Sequence, residues 1–166
     1  GDMAIVEVRI DDRLIHGQVS NLWVPHFGVE RLLVVDDAVA ADEDRKAVLR
    51  FACPPQCKLS VFDTAKAAEK LSRGIDAGIR VMIVAVGPIP LLRMQELGYR
   101  LPSITVGNMS RRPGTRQVAN LAYANGEELA AFQGLLNFGV TLAFQPTPTS
   151  RREDLTAAVT KMNEGH

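Results

Sequence analysis

The chain has 166 residues, of which 46% are hydrophobic, and its 19 basic and 19 acidic side chains balance. This length is typical of one domain with a buried core, and the balanced charge gives no support for binding to nucleic acid or to an anionic membrane surface. No apolar run approaches the roughly 18 residues that span a bilayer, and no secretion signal opens the sequence. We therefore expect residues 3–166 to form one cytoplasmic domain, with Gly1 and Asp2 as a cloning remnant.

Apolar runs that are typical of strands alternate along the chain with helical patterns. The predicted strands comprise residues 5–10, 32–35, 58–62, 80–86, 103–106, 117–123 and 140–144. The predicted helices comprise residues 17–27, a segment that begins at Asp42 and is stopped by Pro54, residues 64–72 and 88–98, residues 127–137, and the chain from 151 onward. The side chains expected to face the core are Val19, Leu22 and Trp23 in the first helix and Val48, Leu49 and Ala52 in the second.

This alternation of strands and helices predicts a single doubly wound α/β domain, with a mainly parallel open sheet and helices on both faces. In such folds, ligands bind beyond the carboxyl ends of the strands. The segments expected at that edge, called the rim below, are residues 11–17, 36–42, 87–88 and 107–112.

The turn after the first predicted strand carries the strongest chemical signal. Residues 9–19 read Arg-Ile-Asp-Asp-Arg-Leu-Ile-His-Gly-Gln-Val, and His16 stands where the next helix begins. Unpaired backbone N–H groups and the helix dipole favour an anion at such a position. Because imidazole is a nucleophile near neutral pH, we expect His16 to carry a phosphoryl group. A structural histidine that caps the helix is the alternative.

Arg13, Asp12 and Gly17 are the candidate phosphate-binding residues around His16. Arg13 offers a planar fork of donors that suits two phosphate oxygens, and its alternative is an ion pair with Asp11 or Asp12. Gly17 allows the backbone to approach an anion closely, or it simply makes an easy turn. The two aspartates are expected to cap the helix, to orient Arg13, or to accept the second N–H of His16 and fix its tautomer.

Other charged residues are candidates for support of the site or for contact with a partner. Asp36 and Asp37 end the second predicted strand, and we expect them first to order their loop and second to contribute to the site. Arg45 lies in the first turn of its helix, where the dipole disfavours a cation. Arginines at the rim could form a positive collar around His16, and solvated surface charge is the alternative. The arginines considered for this collar are Arg31, Arg45, Arg111 and Arg112.

The sequence gives no support for a metal or a cofactor, and we expect neither. His16, His26 and His166 are not at the spacing of metal ligands, and no glycine-rich nucleotide-binding motif is present. We expect His26 to lie at the surface or to cap a helix. Cys53 and Cys57 enclose two prolines rather than forming a C-x-x-C pair, so we expect ordinary reduced thiols.

Residues 9–19, followed by a tryptophan, resemble a known family. Together with Val-Val-Asp-Asp-Ala-Val-Ala-Ala-Asp at 34–42 and Ala-Cys-Pro-Pro at 52–55, they are similar to enzyme IIB of the mannose/fructose/sorbose branch of the bacterial phosphoenolpyruvate-dependent sugar phosphotransferase system. The likeness extends through Val-Gly-Asn-Met at 106–109 and the segment 132–140, so it covers nearly the whole chain.

The resemblance implies a phosphoryl-relay subunit. Such a subunit takes a phosphoryl group from a histidine of the IIA component and passes it to a sugar that enters through the IIC and IID membrane subunits. It further implies that His16 is phosphorylated and that Arg13 lies in the phosphate pocket. Two alternatives are a IIB-like module that reports phosphorylation state to another protein and an α/β enzyme that acts on a soluble phosphorylated metabolite.

Three positions depart from the pattern of the family. Asn108 stands where many members have a second glycine, in a turn that could contact an anion or be a plain turn. Ser110 stands where some members have a histidine, and Gln-Pro-Thr-Pro at 145–148 differs from the usual valine-proline pattern. These differences could reshape the pocket and the C-terminal contact surface.

Overall fold

The computed structural model describes residues 4–74 and 77–165, so the expected cloning remnant and His166 lie outside the described residues. The strands are β1 (Ala4–Asp11), β2 (Arg31–Val35), β3 (Lys58–Phe62), β4 (Arg80–Ala85), β5 (Ser103–Asn108), β6 (Arg116–Ala119), β7 (Ala122–Ala124), β8 (Thr141–Phe144) and β9 (Glu153–Asp154). The helices are a π-helix (Val19–Trp23) that continues as α1 (Val24–Phe27), then α2 (Asp37–Ala40), α3 (Glu43–Ala52), α4 (Thr64–Ser72), α5 (Pro88–Glu96), α6 (Gly126–Asn137) and α7 (Thr156–Glu164).

The main sheet has, within the described residues, seven strands in the order β3-β2-β4-β1-β5-β8-β9. Its neighbours pair in parallel, except for β9, which pairs antiparallel to β8. The chain moves from β1 through β2 to β3 toward one edge, and from β3 through β4 and β5 to β8 toward the other. Since crossovers are right-handed, this reversal puts the two sets of helices on opposite faces. The predicted doubly wound α/β fold is confirmed.

Two hydrophobic clusters fill the space between the sheet and its helices. On one face, Leu91 of α5, Phe132 of α6 and Val159 of α7 pack in a common core. On the other face, Trp23 of the π-helix and Leu49 of α3 pack against the sheet. Residues 81–85 of β4 have no exposed surface, as expected for a strand covered on both sides.

Side-chain caps explain where several helices begin. Asp36, Asp42, Asp63 and Asn125 each accept a hydrogen bond from the backbone N–H three residues later. These bonds satisfy donors that a helix leaves unpaired in its first turn. Asn125 belongs to a complete capping box with Glu128, which fixes the start of α6.

The first predicted helix differs from a regular α-helix because its centre is a π-helix. Val19 and Trp23 are buried as predicted, with 1% exposure each, but Leu22 is 41% exposed. The prediction that Leu22 faces the core is therefore wrong. The wider π turn, with its hydrogen bonds from residue i to i+5, changes the angle between successive side chains, so a face assigned at α-helical spacing does not hold.

In α3, the predicted buried face is also partly wrong. Leu49 is buried and Ala52 is half-buried, but Val48 is 67% exposed. Adjacent residues of an α-helix point about 100° apart, and in α3 Leu49 faces the sheet while Val48 points away from it. Phe51 is 95% exposed, which leaves two large apolar side chains of this helix in contact with solvent.

The predicted strand 117–123 is a hairpin of two short antiparallel strands, β6 and β7. Leu121 lies at their turn and is 42% exposed, although its apolar character suggested a continuous strand. The segment from Arg151 enters β9 before α7, so helix begins later than predicted. The short helix α2 is an element that the sequence did not predict.

Candidate active site

The loop between β1 and the π-helix holds His16 at the predicted rim. Leu14 N–H donates to the Asp11 carbonyl at 2.9 Å, and this turn brings His16 back over the end of β1. Leu14 has a φ of 59°, in the left-handed region that non-glycine residues rarely adopt. Such a conformation costs on the order of 1–3 kcal/mol, and the complete burial of the Leu14 side chain holds it in place.

Asp11 joins His16 and Arg13. Its Oδ2 lies 2.8 Å from His16 Nε2, while Arg13 Nε and Nη2 donate to Oδ1 and Oδ2 at 3.0 and 2.9 Å. Burial alone would raise the pKa of the Asp11 carboxyl, but the hydrogen bonds from His16 and Arg13 outweigh it and hold that pKa below its usual range. Asp11 is therefore a buried carboxylate at neutral pH, and it is the aspartate that both orients Arg13 and contacts the imidazole.

The contact with Asp11 determines which nitrogen of His16 keeps its lone pair. An ionised carboxylate only accepts hydrogen bonds, so Nε2 carries the proton and Nδ1 keeps its lone pair. Nδ1 accepts the Gln18 backbone N–H at 3.3 Å, which is long for a hydrogen bond. Of the His16 side chain, 18% remains exposed. The imidazole is thus held at one nitrogen and weakly engaged at the other.

Arg13 lies beside His16 and is 42% exposed. Hydrogen bonds to Asp11 raise the pKa of Arg13, and its Nη2 also donates to Gln18 Oε1 at 3.1 Å. A groove of about 270 Å³, called the α3 groove below, separates the loop from α3. Its lining consists of Asp12, Arg13, Leu14, Asp44, Arg45, Val48 and Leu49. The structure thus brings Arg45 together with Arg13.

Asp12 faces the loop that follows β5. Its carboxylate accepts hydrogen bonds from Asn108 Nδ2 at 2.9 Å, from the Ser110 backbone N–H at 2.6 Å and from the Ser110 hydroxyl at 3.2 Å. The Asp12 N–H is bonded to the Asn108 carbonyl. The Asp12 carboxylate is thus bonded to Asn108 and Ser110 rather than to Arg13 or His16, and its phosphate-binding role stays a prediction. Asp12 and Asn108 hold two loops of the rim side by side.

Arg31 lies at the amino-terminal ends of the parallel strands, whereas His16 lies at their carboxyl ends. It is level with Val81 of β4, which is level with Ile5 near the start of β1, whereas His16 follows the end of that strand. Arg31 Nη1 donates to Ser60 Oγ at 2.7 Å. The prediction that Arg31 belongs to a collar around His16 is therefore wrong, because Arg31 begins a parallel strand and the rim lies where the strands end.

Three further candidates have structural contacts of their own. Asp37 Oδ1 accepts the N–H and the hydroxyl of Thr64 at 2.8 and 3.0 Å, which orders the start of α4. Arg112 forms an ion pair with Glu128 at 2.7 Å. A methyl group on Gly17 would meet only ordinary van der Waals contacts, so the fold itself does not require a glycine there.

Glu7 and Arg9, two charged residues of β1 that were not among the predicted site residues, lie beneath the site. Arg9 is 1% exposed, and its Nη1 donates to Glu7 Oε2 at 3.1 Å. Its Nη2 donates to the Gln145 carbonyl at 2.8 Å, and the guanidinium lies 3.9 Å from the centre of the Trp23 ring. Glu7, Arg9 and Asp11 alternate along an otherwise apolar strand, and this charge at every second position is the signal that could have identified them.

Gly107 of β5 packs directly against this buried arginine. A methyl group there would overlap Arg9 Nη2 and would lie 3.5 Å from Asp11 Oδ2. The strand therefore passes over Arg9 at a distance that only a glycine permits. Because the same methyl position borders both charged groups, the Arg9 guanidinium is also close enough to Asp11 to help stabilise that carboxylate.

In the two described stretches of the chain, no group of three or more histidine, cysteine, aspartate or glutamate side chains is arranged to hold a metal ion. No helix among these residues is long and apolar enough to cross a membrane.

Residues 5–166 match the family model of the PTS system sorbose subfamily IIB component, where PTS denotes the phosphotransferase system. The chain is 35% identical over 162 residues to the PTS system mannose-specific EIIAB component of Escherichia coli (strain K12), covering 98% of this chain and 50% of that protein. It therefore spans about half the length of this relative. It is 30% identical to the PTS system fructose-specific EIIB component of Bacillus subtilis (strain 168), covering 92% of this chain and 93% of that protein.

Among solved structures, the fold matches the IIBSor domain of the sorbose permease from Klebsiella pneumoniae, with a TM-score of 0.88 and 29% identity over 96% of this chain and 98% of that one. It also matches manxB from Thermoanaerobacter tengcongensis, with a TM-score of 0.84 and 28% identity over 95% of each chain. Sequence and fold agree on one class of protein. The chain belongs to the sorbose subfamily of PTS IIB components.

Proposed function

We propose that this chain is a phosphoryl relay that works in the cytoplasm. His16 accepts a phosphoryl group from a phosphohistidine of an EIIA-type component and passes it to a sugar that enters through IIC and IID membrane subunits. The observation that carries the proposal is the position of His16, which is hydrogen-bonded to a buried carboxylate at one nitrogen and adjacent to Arg13. Membership of the family supports the same role.

In the first step, Nδ1 of His16 attacks the phosphorus. The bond from phosphorus to Nδ1 forms as the bond from phosphorus to the donor imidazole breaks, and the electron pair of the broken bond returns to the donor ring. His16 keeps its proton on Nε2, so its ring becomes positively charged. Asp11, 2.8 Å from Nε2, stabilises this charge as it develops. The chemistry requires alignment and charge compensation more than covalent assistance.

Arg13 supplies the compensating charge for the phosphoryl oxygens. Its guanidinium is bonded to Asp11 on one side and is exposed on the other, so a modest side-chain rotation allows it to exchange the carboxylate for phosphate oxygens. Because Asp11 competes for the same donors, the phosphoryl group is not held too tightly. A relay needs this balance, since tight binding of the phosphorylated state would slow the second transfer.

The second step reverses the first. A sugar hydroxyl attacks the phosphorus, the bond to Nδ1 breaks, and its electron pair returns to His16, while a base of the accepting component takes the hydroxyl proton. The imidazole is then neutral, still protonated on Nε2 and bonded to Asp11. The relay therefore returns to its starting state without a metal.

The test is phosphorylation of the purified chain with phosphoenolpyruvate, the general phosphotransferase components and an EIIA-type donor, followed by phosphorus NMR. We expect one acid-labile phosphohistidine signal, of the Nδ1 type. His16→Ala should abolish it, whereas His26→Ala, which changes an exposed histidine of α1, should retain it. An acid-labile label that survives in the folded His16→Ala variant would refute the assignment. A phosphorylated chain that never supports sugar phosphorylation in membrane vesicles would favour the reporting module instead.

A further inference from the structure

We propose that the exposed apolar face of α3, formed by Val48 and Phe51 beside the α3 groove, is the docking surface for the protein domain that phosphorylates His16. Phe51 is the anchor of this contact. This inference rests on the proposed relay function, because it names the surface that the phosphohistidine donor covers.

The exposure of these two side chains is the first observation. Phe51 is 95% exposed and Val48 is 67% exposed, and a spacing of three residues puts them on the same side of the helix. Charged residues surround them on α3, with Asp44 and Arg45 toward its start and Arg50 toward its end. An apolar centre with a polar rim is the usual anatomy of a protein–protein interface.

The second observation is that α3 runs beside the His16 loop at both of its ends. Near its start, Arg45 and Val48 share the α3 groove with Arg13. At its end, the Ala52 carbonyl accepts a hydrogen bond from the Ser20 hydroxyl at 3.5 Å. The N–H of the same Ser20 donates to the His16 carbonyl at 2.8 Å. The exposed face of α3 is therefore a direct continuation of the phosphoryl-transfer site.

The size of a typical protein–protein interface indicates that a domain bound at His16 can also contact the exposed face of α3. The donor histidine belongs to a protein surface and carries the phosphoryl group, so His16 Nδ1 must come to about 3–3.5 Å from its phosphorus atom. A specific interface covers about 800 Å² per partner, which is a disc with a radius of roughly 16 Å. A helix of 10 residues is about 15 Å long, and α3 borders the loop of His16. A donor domain that binds over both His16 and the α3 groove is therefore large enough to contact Val48 and Phe51.

The occupant is thus a domain of the EIIA type. The Escherichia coli relative is named an EIIAB component, and this chain matches half of it. The membrane component that presents the sugar is the other possible occupant, and sugar phosphorylation in membrane vesicles distinguishes it from the donor.

The experiment compares two phosphoryl donors on the same variants. One is a purified EIIA domain charged through phosphoenolpyruvate and the general phosphotransferase components, and the other is phosphoramidate, which is too small to contact α3. We expect Phe51→Ser to lower the second-order rate constant with the EIIA donor by about tenfold or more. The loss should lie in KM, with the maximal rate retained, because a docking contact acts equally on the bound state and the transition state. Labelling by phosphoramidate should match that of the original chain.

Phe138→Ser is the matched control. Phe138 is 52% exposed and lies between the end of α6 and the start of β8. It is therefore at the amino-terminal ends of the parallel strands, whereas His16 is at their carboxyl ends. It should leave both rates unchanged. Unfolding midpoints of the variants establish that each remains folded.

The outcomes separate docking from function. Equal EIIA rates for Phe51→Ser and the original chain would overturn the docking surface while His16 is still labelled. Failure of both donors to label His16 in the original chain would reject the relay function itself. A Phe51→Ser variant that accepts phosphate normally but slows sugar phosphorylation in membrane vesicles would assign the face to the acceptor and overturn this proposal.

Discussion

At the scale of single residues, the site depends on two adjacent aspartates with different tasks. Asp11 points to Arg13 and His16, whereas Asp12 points to Asn108 and Ser110. Asp11 therefore sets the tautomer of the His16 imidazole, and Asp12 sets the spacing of the loops. The two carboxylates point in opposite directions, as neighbouring side chains do at the end of a strand.

Gly107 provides a prediction about the packing beneath the site. Gly107→Ala should lower the free energy of unfolding by about 1–3 kcal/mol, because the added methyl group overlaps the buried Arg9 guanidinium. Urea unfolding measures this loss. Gly126→Ala is the control, since a methyl group there meets open space and should change stability by less than about 1 kcal/mol. Equal stability of the two variants would show that Arg9 moves aside freely.

The sequence predicted His16 and Arg13 at the rim, because a motif after a strand fixes where its side chains emerge. It left open which aspartate contacts them, since a turn of five residues can direct either carboxylate inward. It did not identify Glu7 and Arg9, because charged residues inside a strand are normally taken as its exposed side. Their burial depends on Trp23 and on the carbonyls after β8, which are distant in sequence.

At the scale of elements, local signals explain which boundaries were predictable. The strand Lys58–Phe62 and the helix Thr64–Ser72 have the predicted bounds, because an aspartate cap separates them. The hairpin of β6 and β7 was predicted as one strand, because Asn120 and Leu121 lack the glycine or proline that usually indicates a tight turn. Leu22 and Val48 point outward because the rotation of each helix about its axis turns them away from the sheet, and residue type alone does not show that rotation.

The capping box of α6 allows a prediction at this scale. Asn125→Ala should lower the free energy of unfolding by about 1 kcal/mol, because it removes the acceptor for the Glu128 N–H. Thermal or urea unfolding measures the change. Asn137→Ala, at the exposed end of the same helix, removes only a hydrogen bond with Gln133 and should have a smaller effect. A larger loss for Asn137→Ala than for Asn125→Ala would contradict this assignment of the cap.

At the scale of the whole molecule, the buried charges along β1 link stability to pH in opposite directions. The folded pKa of Asp11 lies below its unfolded value of about 3.9, so its contribution is present above that value and is lost as the pH falls through the folded pKa. Burial raises the pKa of Glu7, although Arg9 opposes this effect. The contribution of Glu7 is therefore greatest at low pH and is lost as the pH rises through the folded pKa.

The opposite pKa shifts of Asp11 and Glu7 predict opposite changes of stability with pH for two conservative variants. The stability gap between the original chain and Asp11→Asn should be largest at pH 7 and should narrow as the pH falls below about 4. For Glu7→Gln, the original chain should gain relative stability as the pH falls. Urea midpoints measured from pH 7 to pH 3 provide the comparison. Parallel curves for Asp11→Asn and the original chain would show that Asp11 is not stabilised as a carboxylate.

The π-helix between His16 and Trp23 makes this stretch intolerant of deletion. Trp23 is fixed by the Arg9 guanidinium and by the hydrogen bond from its Nε1 to the Pro146 carbonyl. Removing one residue from Val19–Trp23 would restore a regular α-helix. The loop that holds His16 would then rotate by about 100° around the helix axis relative to Trp23. The imidazole would then turn away from Asp11. The number of residues between His16 and Trp23 therefore sets the orientation of the imidazole.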